Sequence, residues 1–243
     1  MKKFITYCFM ILGVVLLASL DNMAIAQEVA DAERNFHQML KDKFIDGNPM
    51  FMTPVLICLI LGLAIVIERI IYLNMATTNN GKLLDEIEGA LKSGGVESAK
   101  NICRDTKGPV ASIFYQGLDR AHEGIDIAEK SVVSYGAVEM GRLERGMIWV
   151  SLFISIAPML GFFGTVVGMV QAFDDIESAG DISPAVVAGG IKVALLTTLA
   201  GLLVAIVLQV FYNYLVAKID NIVSGMEDSS ITLIDMLVKN KVN

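Results

Sequence analysis

The sequence has little of what enzymes and metal proteins use. Its 243 residues include two histidines, three cysteines and one tryptophan. The cysteines at positions 8, 58 and 103 match neither a zinc spacing nor a disulfide framework. His37 and His122 are isolated among polar residues, as solvated surface histidines are. The sequence contains no Ser/His/Asp set and no phosphate-binding glycine loop. We therefore expect a protein that is not an enzyme and that holds no metal or cofactor.

Positive charge is also scarce. The formal net charge of −7 argues against a nucleic-acid partner. Hydrophobic residues make up 54% of the chain, and the mean hydropathy is +0.60. Residues 146–173 form a run of 28 residues without a charge. As a helix this run would be about 42 Å long, more than the ~30 Å hydrocarbon core of a bilayer. The sequence therefore predicts a membrane protein.

The first 73 residues divide into three segments. Residues 1–26 resemble a secretory signal, with a basic start, an apolar core and a small-x-small site, so cleavage after Ala26 is predicted. An uncleaved anchor is the alternative. Residues 27–48 are expected to form a polar, amphipathic segment on the outer surface of the membrane. The first span covers 49–73, where Asn48 is expected to cap the helix and Arg69 to pair with Glu68 and reach the headgroups.

Residues 74–145 form a polar region with apolar residues at helical spacing. Turns are predicted at 93–95 and 108–109. Asp126, followed by Glu129, is expected to cap a helix that runs without a break into the second span.

The second span covers 146–173, an acidic turn 174–183, the third span 184–217 and a polar tail 218–243. Arg142, Arg145 and Lys218 flank the spans on the side opposite the acidic turn, so that side is predicted to be cytoplasmic. The predicted fold class is all-α, a polytopic membrane protein whose three long transmembrane helices extend into a cytoplasmic helical bundle.

Small residues and two hydroxyls mark one face of the second and third spans. The small residues allow close packing of helix backbones. They are Gly161, Gly164, Gly168, Gly190, Ala194 and Gly201. Thr165 and Thr198 are candidates for an ion pathway, because hydroxyls can relay protons or bind a small cation. For the small residues the alternative is a helix–helix contact with no transport role. For the two threonines the alternative is that each hydroxyl bonds to a carbonyl of its own helix.

Lys192 is the only charged residue inside the second and third spans. About 12 Å of helix separates it from Pro184, so its side chain can either snorkel outward or face a cavity. We treat it as the candidate charge at a pore mouth. Neither span contains a carboxylate, so a proton carrier of that kind would come from another protein.

Three motifs resemble the ExbB/TolQ/MotA family. They are ERIIYL at 68–73, APMLGFFGTVVGM at 157–169 and GIKVALLTTLAGL at 190–202. The order of one span, a large cytoplasmic insertion and two further spans also fits this family. The resemblance extends from about Pro49 to the C-terminus, and the three spans make the chain most similar to the ExbB branch.

The resemblance implies a pentamer in the bacterial inner membrane, with a periplasmic mature N-terminus and a cytoplasmic C-terminus. Its second and third helices would line a pore that holds an ExbD-like single-span partner, whose membrane aspartate supplies the missing carboxylate. Ion flow would drive a TonB-like protein that energises outer-membrane transport. The pore threonines of the family fall on Thr165 and Thr198. Many members have a glutamate where this sequence has Val193, which leaves the coupling ion open.

Two other functions compete with this one. The same motor could serve TolQ-like envelope maintenance, gliding or adhesion. The small-residue faces would equally suit a membrane scaffold that conducts no ions. A solute carrier is disfavoured because the sequence shows no inverted repeat.

Overall fold

The computed structural model describes residues 38, 41–77, 79–179 and 184–239. The signal-like segment and most of the amphipathic segment lie outside the described residues, as do positions 180–183 of the acidic turn. The long elements among the described residues are all helices. They are α1 (Pro49–Ala76), α2 (Asn80–Asp105), α3 (Pro109–Asp119), α4 (Ile125–Leu143), α5 (Met147–Ala179) and α6 (Pro184–Lys239), with a 3₁₀ turn at Ala121–Glu123.

Helix α1 begins as the sequence predicts. The backbone N–H of Met50 donates to Oδ1 of Asn48 at 3.1 Å, and Pro49 is the first helical residue. Asn48 has φ 62°, a left-handed conformation that asparagine adopts more easily than most residues. The chain therefore changes direction at Asn48, between the helical residues 41–46 and the first span.

Arg69 corrects one expectation. It forms the predicted ion pair with Glu68, with Nη2 at 2.5 Å from Oε1. The prediction that it reaches the headgroups is wrong, because Arg69 is only 7% exposed and its guanidinium lies 4.6 Å from the ring centre of Tyr72. The aromatic face and the carboxylate together compensate the buried charge.

The chain divides into two compact units. The first unit combines Met1–Met52 with Gly164–Thr197, and the second combines Thr53–Phe163 with Thr198–Asn243. The second unit contains the polar region, whose core is built from α2, α3, α4 and the C-terminal part of α6. Its fully buried side chains include Ile87, Ile113, Phe114, Leu233 and Leu237.

Glycines mark the helix boundaries of the polar region. The turn predicted at 93–95 is a kink inside α2, where Gly95 has a non-helical φ of 70°. The turn predicted at 108–109 is confirmed at Gly108, which precedes Pro109 at the start of α3. The predicted cap at Asp126 is wrong. Gly124, with φ 115°, is the residue before α4, and no side chain caps this helix.

Helix α4 does not continue into the second span, contrary to the prediction. It ends at Leu143, and α5 starts at Met147. Between them Gly146 has φ 88°, a conformation that costs glycine little and other residues more. The side chain of Arg69 also lies against Gly146, since a Cβ there would be 3.7 Å from Cδ of Arg69. The buried arginine and the glycine turn therefore pack against each other.

Three of the described helical stretches are long and apolar enough to cross a membrane, which confirms the predicted fold class and a multi-pass membrane protein. Large apolar side chains project outward along all three, for example Ile60, Phe162 and Ile206, each more than half exposed. An apolar surface of this extent is typical of contact with lipid or with other subunits. Helix α6 then continues from its apolar part to Lys239, about 84 Å in all.

Cys103 provides a test of the helical bundle in the polar region. It is 3% exposed, and burial raises the pKa of its thiol to about 12. Because the thiolate is the reactive form, we expect Cys103 in the native protein at about pH 8 to react with maleimide at least about a hundredfold more slowly than an exposed cysteine. Mass spectrometry of the labelled peptide measures this rate.

The control is a cysteine introduced at Ser134, an exposed position of α4 in the same bundle. Unfolding in detergent should bring both rates together. Equal labelling of Cys103 and the Ser134→Cys variant before unfolding would contradict the packing of α2 described above.

Candidate functional site

In the first unit, glycines of α5 and α6 bring the two helices into backbone contact. A Cβ on Gly164 would lie 2.8 Å from Oγ1 of Thr197, and one on Gly168 would lie 3.5 Å from the backbone nitrogen of Ala194. A Cβ on Gly190 would overlap the side chain of Ala172. These positions therefore have little or no room for a larger residue, as expected where small residues allow close helix contacts.

The close approach of α5 and α6 allows the hydroxyl of Thr165 to form a hydrogen bond across the two helices. Its Oγ1 donates to the backbone carbonyl of Ala194 on α6 at 3.1 Å. The same carbonyl accepts a second hydrogen bond, from Oγ1 of Thr197 at 2.8 Å. Ala194 is 1% exposed and Thr197 is fully buried, whereas Thr165 is half-buried. Two hydroxyl oxygens and one carbonyl oxygen thus gather in an otherwise apolar helix contact.

In the second unit a hydrogen bond runs in the opposite direction, from a hydroxyl on α6 to a carbonyl on α5. Oγ1 of Thr198, on α6, donates to the backbone carbonyl of Gly161 on α5 at 3.3 Å. A Cβ on Gly201 would lie 2.5 Å from the carbonyl oxygen of Ala157 and 3.2 Å from Cα of Gly161. The glycines therefore permit the approach that brings the Thr198 hydroxyl to the opposite backbone.

These threonines have a defined chemical capacity. A hydroxyl carries one proton to donate and two lone pairs to accept. In both units the hydroxyl donates its proton to a carbonyl of the other helix, and a hydroxyl oxygen is also a group that can accept a hydrogen bond from water or bind a cation. Both threonines are half-buried. The contacts across the helices show that neither threonine bonds only within its own helix, as the local alternative would have it.

Lys192 has a partner that sequence reasoning missed. Its Nζ lies 2.6 Å from Oδ2 of Asp46, a residue that precedes the first span. Both belong to the first unit. The hydrogen bond from Lys192, opposed by partial burial and aided by the charge of Lys43, lowers the pKa of the Asp46 carboxyl from its usual value. Asp46 carries no sequence signal beyond being one acid in a polar segment, so its contact with α6 could not be inferred.

Sequence reasoning did not single out Thr197, although it is the most buried polar side chain among the described residues of the first unit. Residues 146–173 and 184–217 contain no carboxylate in the sequence. Among the described residues, no group of three or more His, Cys, Asp and Glu side chains could hold a metal ion. The candidate site consists of hydroxyls, backbone carbonyls and one ion pair.

Comparison with known proteins identifies the family. The model of the MotA/TolQ/ExbB proton channel family matches residues 105–228, just over half of the chain. The chain belongs to this family. The match includes α3, α4, α5 and most of α6, and therefore both threonines and all six small residues of the candidate site. Members of the family are proton-channel and transport subunits rather than enzymes.

Several relatives are named for biopolymer transport. The chain is 31% identical over 169 residues to a putative biopolymer transport protein ExbB homolog of Methanothermobacter thermautotrophicus. The matched region covers 69% of this chain and 60% of that protein. It is 28% identical over 193 residues to the biopolymer transport protein ExbB of Neisseria meningitidis, which covers 72% and 86%. A Helicobacter pylori ExbB-like protein is 40% identical over 74 residues, 30% of this chain and 39% of that protein. The chain thus matches three fifths of the archaeal relative's length.

The close contact at Gly201 can be tested against Gly189, a glycine of the same helix. A Cβ on Gly189 would meet nothing within 4 Å, whereas one on Gly201 would meet backbone atoms. Alanine gains about 1 kcal/mol of helix propensity at either site, so this gain cancels in the comparison. Because overpacking costs about 1–3 kcal/mol, we expect Gly201→Ala to be less stable than Gly189→Ala by that amount.

Unfolding of the purified variants in a graded denaturing detergent measures the difference. The wild type serves as the reference for both. Equal stability of the two variants would show that α5 and α6 are not in backbone contact at Gly201.

Proposed function

We propose that the chain is the membrane-embedded subunit of a motor driven by the ion-motive force, which energises TonB-dependent transport across the outer membrane. Membership of a proton channel family supports the ion-driven part. The names of the relatives, which refer to biopolymer transport, support the type of load. In this proposal α5 and α6 form the wall of the ion pathway.

The observation that carries the proposal is the pairing of threonine hydroxyls with carbonyls across α5 and α6. Residues 157–171 and 190–202 contain few polar side chains that can contact an ion. They are Thr165, Gln171, Lys192, Thr197 and Thr198. Burial of hydroxyls in a lipid environment is unfavourable unless they face protein or water. A water-accessible pathway explains why hydroxyls that are half-buried occur at this depth.

The pathway needs partners, and the chain's own composition indicates which chemistry they supply. A wall without a carboxylate cannot bind and release a proton by that route, so a carboxylate from an ExbD-like single-span protein completes it. Val193 stands where the family resemblance leads us to expect a glutamate in many members, so the third span of this chain contributes no carboxylate. The exposed apolar sides of α1, α5 and α6 suit contact with lipid and with further copies of the chain in a ring, for which we propose a pentamer.

The proposed orientation follows the distribution of charge. Arg142, Arg145 and Lys218 lie at one end of the spans, and the acidic residues 174–177 lie at the other. By the positive-inside rule the basic end is cytoplasmic. The bundle of α2, α3 and α4 then lies in the cytoplasm of a bacterial cell, the Asp46 end faces the periplasm, and the protein resides in the inner membrane.

Replacing the threonines by isosteric valine tests the pathway. Thr165→Val and Thr198→Val keep the packing and remove the hydroxyl. Losing a hydrogen bond to a charged species costs about 1.5–3 kcal/mol, so we expect transport to fall by about tenfold or more in each variant, with assembly unchanged. The measurement is energised uptake of an iron chelate by cells that depend on the variant, together with the size of the purified complex.

Ser155→Ala is the matched control, because it also removes a hydroxyl from α5, but the Ser155 hydroxyl donates within its own helix to the Ser151 carbonyl at 3.1 Å and is not part of the candidate site. It should retain most of the uptake. Wild-type uptake in both the Thr165 and Thr198 variants would overturn the pathway role. Normal uptake but detergent sensitivity in cells lacking the chain would instead indicate TolQ-like envelope maintenance, and an assembled complex without ion flux would indicate a scaffold.

A further inference from the structure

The ion pair between Asp46 and Lys192 joins the segment before the first span to the third span. The ammonium nitrogen lies 2.6 Å from the carboxylate, and the two side chains are 35% and 52% exposed for Asp46 and Lys192. Asp46 lies three residues before Pro49, where α1 begins. The pair therefore brings the single charge of residues 184–217 to an acid at the start of the first span.

This pair has an electrostatic consequence. Lys192 is the only ionic residue on the part of α6 that also carries the two paired hydroxyl contacts, and a fixed positive charge there repels cations. Asp46 supplies one negative charge at hydrogen-bonding distance, so the paired side chains have no net charge. Lys43 lies close enough to act on the Asp46 carboxyl and adds a second positive charge to the neighbourhood. Loss of Asp46 would leave both bases unbalanced.

The pair is poorly suited to a purely structural role. Ion pairs between partly exposed side chains contribute little to stability, because water and salt already screen both charges. Their effect on the local potential is larger than their effect on folding, particularly beside a low-dielectric helix surface. The contact is therefore better explained by what it does to a charged species that approaches α6.

We propose that Asp46 is a specificity-determining residue for cation entry, because it neutralises Lys192 at the outer end of the ion pathway. The inference rests on the proposed function, since it requires ions to enter near Lys192. It adds a residue from outside the three spans to the pathway. Asp46 acts through Lys192, so it is a positioning residue for the charge at the entrance rather than a group that carries the ion.

The test is proton flux into liposomes that contain the full chain and its single-span partner. The variants are Asp46→Asn, Lys192→Gln and the double variant. In the Asp46→Asn variant the charges of Lys192 and Lys43 are no longer balanced, so they repel an entering cation. Because one uncompensated charge a few ångströms from the cation costs on the order of 1 kcal/mol in water, flux should fall by about two- to tenfold. The double variant removes both members of the pair and should return flux to within about twofold of the wild type. Lys192→Gln alone leaves an unpaired carboxylate, so its flux should not fall below the wild type.

Ionic strength separates this effect from a structural one. The Debye length shortens from about 30 Å at 0.01 M salt to about 8 Å at 0.15 M, so the defect of Asp46→Asn should shrink as salt is added. Asp46→Glu keeps the charge and should restore flux at both salt concentrations. A bis-maleimide crosslink between cysteines placed at 46 and 192 reports the proximity of the two positions without any flux measurement, because its spacer replaces the length of the lysine side chain.

Each outcome decides the inference. Unchanged flux in Asp46→Asn, a defect that is independent of salt, or a double variant as impaired as Asp46→Asn would overturn it. In all three cases a conducting wild type would leave the proposed function intact. If the variant with cysteines at 46 and 192 forms the crosslink but the wild-type complex conducts no protons, the proposed function is overturned, and with it the role of Asp46 in ion entry.

Discussion

The hydrogen bonds from threonine hydroxyls to carbonyls of the opposite helix depend on how closely α5 and α6 approach. A threonine side chain is short, so its hydroxyl reaches a neighbouring backbone only where small residues line the contact. Gly164 and Gly168 provide this condition in the first unit, and Gly201 provides it in the second. Larger residues at these positions would separate the helices and leave the hydroxyls without their carbonyl partners. The hydroxyl chemistry and the glycine spacing are therefore a single structural feature.

Much of this arrangement could be predicted from the sequence because it depends on local chemistry. The uncharged runs predict the spanning helices, the Asn48-Pro49 pair predicts the start of α1, and the small-residue spacing predicts which faces of α5 and α6 come together. Three expectations failed where a tertiary contact or backbone conformation overrode the local signal. Gly124 replaced Asp126 as the residue before α4, and Gly146 interrupted the expected continuous helix. Arg69 is buried against Tyr72, where the Glu68 carboxylate and the aromatic ring offset its charge, although its buried Nη1 has no hydrogen-bond partner among the described residues.

The Asp46–Lys192 pair could not have been predicted in the same way. The two residues are far apart in the sequence, and neither hydrophobic periodicity nor helix capping relates them. Only the folded first unit brings them together. Their contact changes the interpretation of Lys192, which the sequence alone presents as a lone charge in an apolar helix. In the proposed motor the chain supplies hydroxyls, carbonyls and a neutralised entrance, and a second polypeptide supplies the acid that binds and releases the proton.

A structure of the assembled complex, purified from membranes together with the proposed single-span partner, tests the central claim most directly. The account predicts that Thr165 and Thr198 face an inner helix of the second polypeptide, with an acidic side chain of that helix at the level of the threonines. Threonines that face lipid acyl chains, around a ring with no second polypeptide inside, would contradict it.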